Sequence, residues 1–232
     1  MKRWTLAEIR TKIEQDLDLE AEDFIGADEL LGIINEGIDE CEAHIHMFGR
    51  EHEYFLKEGA LNLIQGQSDY ALPTDIYANK ILALNYVKGT TIYPIKRLRN
   101  IDRFLLAELL RMDNPPDSYQ YLLTHADAAD GYRIKLFPAA LESGNNLLKL
   151  WYIRNANKLE NDSDICDIPE FVYYILAFAK YQVLFKEGHP NAQEAHAALE
   201  KQKNLMFETL GEMVPDEDNK LVMDTSHYEE ST

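Results

Sequence analysis

The hydrophobic residues of this 232-residue chain change their spacing twice. In residues 5–48 and again in 172–210 they recur every three or four positions, which is the period of one helical face. In between, short runs alternate apolar and polar residues, as strands separated by turns do. The pattern predicts an α+β fold, in which helices from both ends of the chain pack together around a β-rich insertion.

Two helices are predicted near the N-terminus. The first begins at Thr5, where Glu8 three residues later completes a capping box. The second begins at Asp28, taken as its N-cap, and ends at Gly49. Its apolar stripe consists of Leu30, Ile34, Ile38, Cys41, Ile45 and Phe48.

Two more helices are predicted after Pro169, the second from about Asn191 to Leu210. With the first two they predict a four-helix bundle built from residues 1–52 and 165–213. Residues 214–232 contain six acids and one lysine and show no period, so we expect a flexible acidic C-terminal tail.

The insertion, residues 53–164, is predicted to form a small antiparallel β-sandwich or barrel. ALNLIQGQSDYALP is typical of a hairpin, ILALNYVKGTTIYPI of a second one, and IDRFLLAELLRM of a short helix. SYQYLLTH, YRIKLF and NLLKLWYIR are predicted strands. In SDYALPTDI we expect Tyr70 and Leu72 to point inward, and Pro73 to end the strand pairing.

The charge argues against a nucleic-acid-binding protein. The chain has 41 Asp or Glu and 23 Lys or Arg, a net charge of −18, which repels phosphate. Two cysteines make no disulfide framework, and we expect both to stay reduced in the cytosol. We expect neither a signal peptide nor a membrane span, because no apolar run is long enough.

Two charged clusters are candidate contact surfaces. Residues Ile13 to Gly49 contain twelve acids and no Lys or Arg, without the offsets of a calcium loop, and are typical of a solvated acidic face. The basic cluster comprises Lys88, Lys96, Arg97, Arg99 and Arg103. In so acidic a chain we favour contact with an acidic surface of a partner or the next subunit over nucleic-acid binding.

Two further groups have the residue types of a chemical site. Cys41 and His44 share a helical face and could ligate a metal, whereas His46 points elsewhere. We favour a buried Cys41, with both histidines exposed or at a subunit contact. Acid–base or magnesium chemistry would suit the Asp162, Asp164 and Asp167 carboxylates, but before a proline and a helix we favour a capping role. No catalytic motif is present, so neither an enzyme nor a cofactor is predicted.

The order and spacing of several stretches resemble the head-to-tail adaptor (connector, or head completion) proteins of tailed bacteriophages, especially those of short-tailed phages. The stretches that carry the resemblance are TLAEIRTKIEQDL, ADELLGIINEGIDE, QGQSDYALPTDI, LWYIRNANKLENDSDICDIPEFVYYILAFAKYQVLFKEG and HPNAQEAHAALEKQKNLM. Each of these stretches is structural, and together they span residues 5 to about 210.

The resemblance implies a ring, commonly of twelve copies, beneath the portal protein at the head–tail interface of the virion. It implies that the helices face the portal, the β module faces the tail nozzle or tail tube, and DNA passes through without specific binding. Assembly would take place in the host cytoplasm. Three sets of contact residues are expected: Leu221, Val222, Met223 and Tyr228 as portal anchors, Lys96, Arg97, Arg99 and Arg103 as partner or subunit contacts, and Asp16, Asp18, Glu20, Glu22 and Asp23 as an acidic channel or rim.

Two alternatives belong to different classes of protein. One is a tail or baseplate protein that never contacts the portal. The other is a metal-binding regulator or enzyme that uses Cys41 and His44.

Overall fold

The chain divides into two compact units, Met1–Phe48 with Leu159–Thr232 and Gly49–Lys158. We call the first the helical unit and the second the β-rich unit. The computed structural model describes residues 2–18, 25–98, 119–125 and 131–212. The fold is mixed α+β, as the two changes of hydrophobic period predict.

Five helices lie in the described residues. They are α1 (Leu6–Leu17), α2 (Ala27–Met47), α3 (Glu51–Phe55), α4 (Val172–Glu187) and α5 (Ala192–Glu212). Helix α4 is the centre of the helical unit and packs against α1, α2 and α5. Seven of its residues are buried, on more than one side, because its apolar residues are not confined to one stripe. None of the described helices is both long and apolar enough to cross a membrane.

The beginnings of α1 and α2 test two predicted caps. The capping box of Thr5 and Glu8 is confirmed, with the Glu8 amide 3.3 Å from the Thr5 hydroxyl oxygen. The predicted N-cap at Asp28 is wrong, because the chain turns into α2 from Gly26. Asp28 lies in the first turn, where its carboxylate still suits the positive end of the helix dipole.

Eight strands form two four-stranded sheets in the described part of the β-rich unit. The strands are β1 (Leu56–Leu63), β2 (Asp69–Ala71), β3 (Ile76–Lys88), β4 (Thr91–Pro94), β5 (Lys96–Arg97), β6 (Gln120–His125), β7 (Tyr132–Phe137) and β8 (Gly144–Arg154). Their orders are β1-β8-β3-β4 and β2-β7-β6-β5. All described pairs are antiparallel except β5 with β6. One buried cluster contains side chains from both sheets, among them Tyr86, Leu148 and Ile134.

The hairpin predicted over ALNLIQGQSDYALP is wrong. Its two strands, β1 and β2, belong to different sheets, β1 beside β8 and β2 beside β7. The turn between them is held by contacts that lead away from a hairpin, since the Gly66 amide bonds to the Ala140 carbonyl at 2.8 Å. The second hairpin, β3 with β4, is confirmed, and so are the strands β6, β7 and β8.

The segment around Pro73 joins β2 to β3 as predicted. Tyr70 and Leu72 are buried, and β2 ends at Ala71 because proline has no amide to donate. The helix predicted over residues 101–112 and the tail predicted over 214–232 lie outside the described residues.

Candidate functional site

The negative charge of the chain belongs to the helical unit. Its sequence contains nine Lys or Arg and 29 Asp or Glu, a net charge of −20, whereas the β-rich unit contains 14 and 12, a net charge of +2. Charge on this scale discourages like units from approaching each other unless opposite charges meet at the contact.

Asp16 and Asp18, two of the five residues predicted to form an acidic rim, lie at the end of α1. Asp16 is not a free charge, since its carboxylate lies 2.7 Å from the Lys12 ammonium and also binds Lys180. Burial raises the pKa of Asp16, but the two lysines outweigh burial and bring that pKa below its usual value. Asp18 is the C-cap, with a φ of 55°. The other three, Glu20, Glu22 and Asp23, lie outside the described residues.

Helix α2 carries acids of two kinds. Glu29 pairs with Lys186, and Glu40 accepts a hydrogen bond from the Tyr174 hydroxyl at 2.6 Å, so both are tied to α4. Others lie on the side of α2 that turns away from α4. We call this exposed side the outer face of α2, and it consists of Asp28, Gly32, Glu36, Asp39, Ala43 and Met47.

A groove of about 240 Å³ lies on α4 between α1 and α5. We call it the helical groove. Its apolar lining consists of small and aliphatic side chains, namely Leu176, Ala177, Ala195 and Ala198. Lys12, Asp16 and Lys180 line it too, and Tyr173, 58% exposed, lies beside them. Sequence reasoning missed this groove because three separate segments build it.

The structure describes only part of the predicted basic cluster. Lys96 and Arg97 form β5 and are exposed at the end of the second sheet. Lys88 ends β3, 3.6 Å from the Glu142 carboxylate. Arg99 and Arg103 lie outside the described residues. A role in partner contact therefore stays a prediction.

The CEAHIH segment lies within α2 and its cysteine is buried, as predicted. Burial raises the pKa of Cys41 well above its usual value, which favours the thiol over the thiolate that binds metals. His44 lies edge-on to Tyr174 and Phe207, with ring centroids 6.0 and 4.9 Å away. Neither histidine is exposed, and the side chain of His46 lies inward beside Glu42, so of the two expected positions the exposed one is wrong and a subunit contact stays a prediction. Within the described ranges, no three His, Cys, Asp or Glu side chains are placed to hold a metal ion.

The carboxylates of the Asp-rich loop were predicted to cap the helix after Pro169, but they accept hydrogen bonds elsewhere. The Asp164 carboxylate accepts hydrogen bonds from the Glu160 and Asn161 amides at 2.8 and 2.7 Å, which lower its pKa. Helix α4 has no side-chain cap, because the turn Pro169–Phe171 leads into it. Instead, the loop carbonyls of residues 162 and 164 accept the first amides of α1. Asp162 also pairs with Arg10 at 3.0 Å.

Comparison with known proteins identifies the family. No curated protein matches the sequence. The family described as SU10 adaptor protein matches residues 4–223, nearly the whole chain. The match agrees with the resemblance to phage head-to-tail adaptors and extends through both units. The chain belongs to the SU10 adaptor protein family, whose role is that of a structural phage adaptor.

Proposed function

We propose that this chain is the head-to-tail adaptor of a phage with a short tail, and that about twelve copies form a ring beneath the portal. The observation that carries the proposal is the family match over residues 4–223. The helical unit, as a four-helix bundle, contacts the portal. The β-rich unit, as a small antiparallel sandwich, faces the tail nozzle or tail tube. The ring lines the DNA exit channel and works without catalysis.

Two sets of residues are proposed to contact partners. Residues Leu221, Val222, Met223 and Tyr228 would anchor the chain to the portal, since an acidic segment with a few apolar side chains can order on binding. The basic residues Lys96, Arg97, Arg99 and Arg103 would meet an acidic surface of a tail protein or the next subunit.

Negative-stain imaging of the full chain mixed with the portal protein of the same phage tests the proposal. We expect an additional ring on one face of the portal, with the portal's own symmetry. A portal that stays bare over a range of salt and protein concentrations would contradict the adaptor assignment. Binding to an isolated tail protein in the same assay would then favour the tail or baseplate alternative.

We further propose that the segment after α1 faces the DNA channel, where carboxylates repel phosphate and let the genome slide. Replacing Asp18, Glu20, Glu22 and Asp23 together by lysine should leave the ring intact and slow DNA release by roughly tenfold. Asp16 is left unchanged because it holds Lys12 and Lys180. Fluorescent-dye uptake by ejected DNA measures the rate in particles that carry the variant.

A neutral variant separates charge from shape at the same four positions. Asparagine and glutamine keep the side-chain size, so release should fall between the wild-type and lysine rates. Unchanged release with all four lysines in place would show that this segment does not line the channel.

A further inference from the structure

We propose that neighbouring copies in the ring join through a helix-in-groove contact, in which the outer face of α2 from one copy lies in the helical groove of the next. The inference rests on the proposed function, because it presumes that a ring forms. It names the contact surfaces and commits to a second copy of this chain as the occupant of the groove.

A glycine on the outer face of α2 is the first observation. Glycine is among the poorest helix formers, so a glycine within a long helix calls for a structural reason, such as a neighbour that leaves no space for a side chain. Gly37 has one, since a Cβ there would lie 3.1 Å from the Phe178 ring. Gly32 has none within the subunit, because a Cβ there would meet nothing within 4 Å. A glycine and an alanine, Gly32 and Ala43, would let the backbone of a second chain approach α2 closely.

The helical groove is the complementary surface. Residues of α1, α4 and α5 line it, and the alanines among them, on α4 and α5, leave room for an inserted helix. Tyr173 and Ala198 are exposed within one subunit, and Ala177 and Ala195 are partly exposed, whereas a docked helix would cover them.

The charges of the two surfaces match. Lys12 and Lys180 share one carboxylate, that of Asp16, so the groove keeps a positive charge in a unit whose net charge is −20. The outer face of α2 offers the exposed carboxylates of Asp28 and Glu36. Placing that face against the lysines offsets the repulsion that two such units would otherwise meet.

The two surfaces lie on different sides of the helical unit. Tyr174 and Phe178 turn toward α2, through Glu40 and Gly37, whereas the groove opens over Tyr173 and Ala177. The outer face of α2 therefore cannot lie in the helical groove of the same subunit. A contact of this kind joins copies head to tail, and such contacts close into rings when the rotation allows.

Cross-linking on the portal tests the contact. A chain carrying Gly32→Cys and Ala198→Cys is assembled on the portal and treated with a short bis-maleimide; both native cysteines are buried. We expect a ladder of covalent multimers, absent from either single variant. The matched control keeps Gly32→Cys but pairs it with Gly211→Cys, also on an exposed part of a helix, and should give no ladder. Rings without a ladder would overturn the contact and leave the proposed function intact, whereas the absence of a ring with the wild-type chain as well would overturn both.

Gly32→Ala gives a second readout that needs no cross-linker. Alanine should raise the melting temperature of the free protein, because the position is open and helical. The added methyl groups would crowd the contact, so the concentration needed for half-maximal ring formation should rise about tenfold. Gly211→Ala is the matched control, and should leave ring formation unchanged. Normal ring formation by Gly32→Ala would overturn the proposal, as would density from the portal in the groove.

Discussion

Replacing Phe178 by alanine should destabilise the helical unit by about 3–5 kcal/mol, the usual cost of removing a buried aromatic side chain. Phe178 is 5% exposed and lies on α4, which contacts the other three described helices of the unit. Its ring rests against α2 at Gly37. Since glycine has no side chain that could move into the space, the cavity should stay open and the cost should lie near the upper end of this range.

The two tryptophans allow each unit to be followed separately. Trp4 belongs to the helical unit and Trp151 to the β-rich unit. In a Trp151→Phe background, urea unfolding monitored by the remaining fluorescence reports the free energy of unfolding of the helical unit. Phe185→Ala is the matched control, being the same change on the same helix at a side chain that is 63% exposed, and should cost less than about 0.5 kcal/mol. Equal losses for the two variants would contradict the central position of α4.

The helices could be predicted from the sequence because a helical stripe is a local signal. Leu6, Ile9 and Ile13 recur within one stretch of chain, and the same residues are buried. The apolar residues of α4 predicted a helix but not its central position, because its buried residues lie on more than one side and the spacing within a helix does not identify their partners.

Strand partners could not be predicted in the same way, because alternation identifies a strand but not its neighbour. Leu56 pairs with Ile153, almost a hundred positions along the chain. The turn before β2 has the glycine of a hairpin, yet it carries the chain from one sheet to the other. Strand β5 is two residues long and parallel to β6, and so short a strand leaves no period to detect.

The candidate surfaces were predicted in composition but not in arrangement. An acidic stretch from residue 13 to 49 is plain in the sequence, whereas the pairing of Asp16 with Lys180 brings together residues 164 positions apart. Gly32 and Gly37 look alike in the sequence, and only the distance to Phe178 separates a packed glycine from an open one.

Tyr152 should be the residue on which the β-rich unit depends most, and Tyr152→Ala is expected to cost about 3–5 kcal/mol. The side chain is 1% exposed on β8, which lies between β1 and β3. Its ring fills the space above Gly59, where a Cβ would lie 3.2 Å away. Its hydroxyl donates to the Asp75 carboxylate at 2.8 Å, and Lys57 lies 2.7 Å from the same carboxylate.

The hydrogen bond between Tyr152 and Asp75 joins two of the stretches that carry the resemblance, QGQSDYALPTDI and LWYIR, which lie far apart in the sequence. Burial raises the pKa of Asp75, yet the hydrogen bonds from Lys57 and Tyr152 outweigh it and lower that pKa. Asp75 therefore stays charged near neutral pH and joins β1, β8 and the segment after Pro73.

Urea unfolding of a Trp4→Phe background, in which Trp151 is the single tryptophan and is excited selectively, measures the loss in the β-rich unit. Tyr152→Phe keeps the ring and removes the hydroxyl, and should cost about 1 kcal/mol because Lys57 still neutralises Asp75. Tyr132→Ala, at a side chain 47% exposed in the same unit, is the matched control and should change stability little. If Tyr152→Phe cost as much as Tyr152→Ala, the hydrogen bond to Asp75 rather than the packing of the ring would hold the unit together.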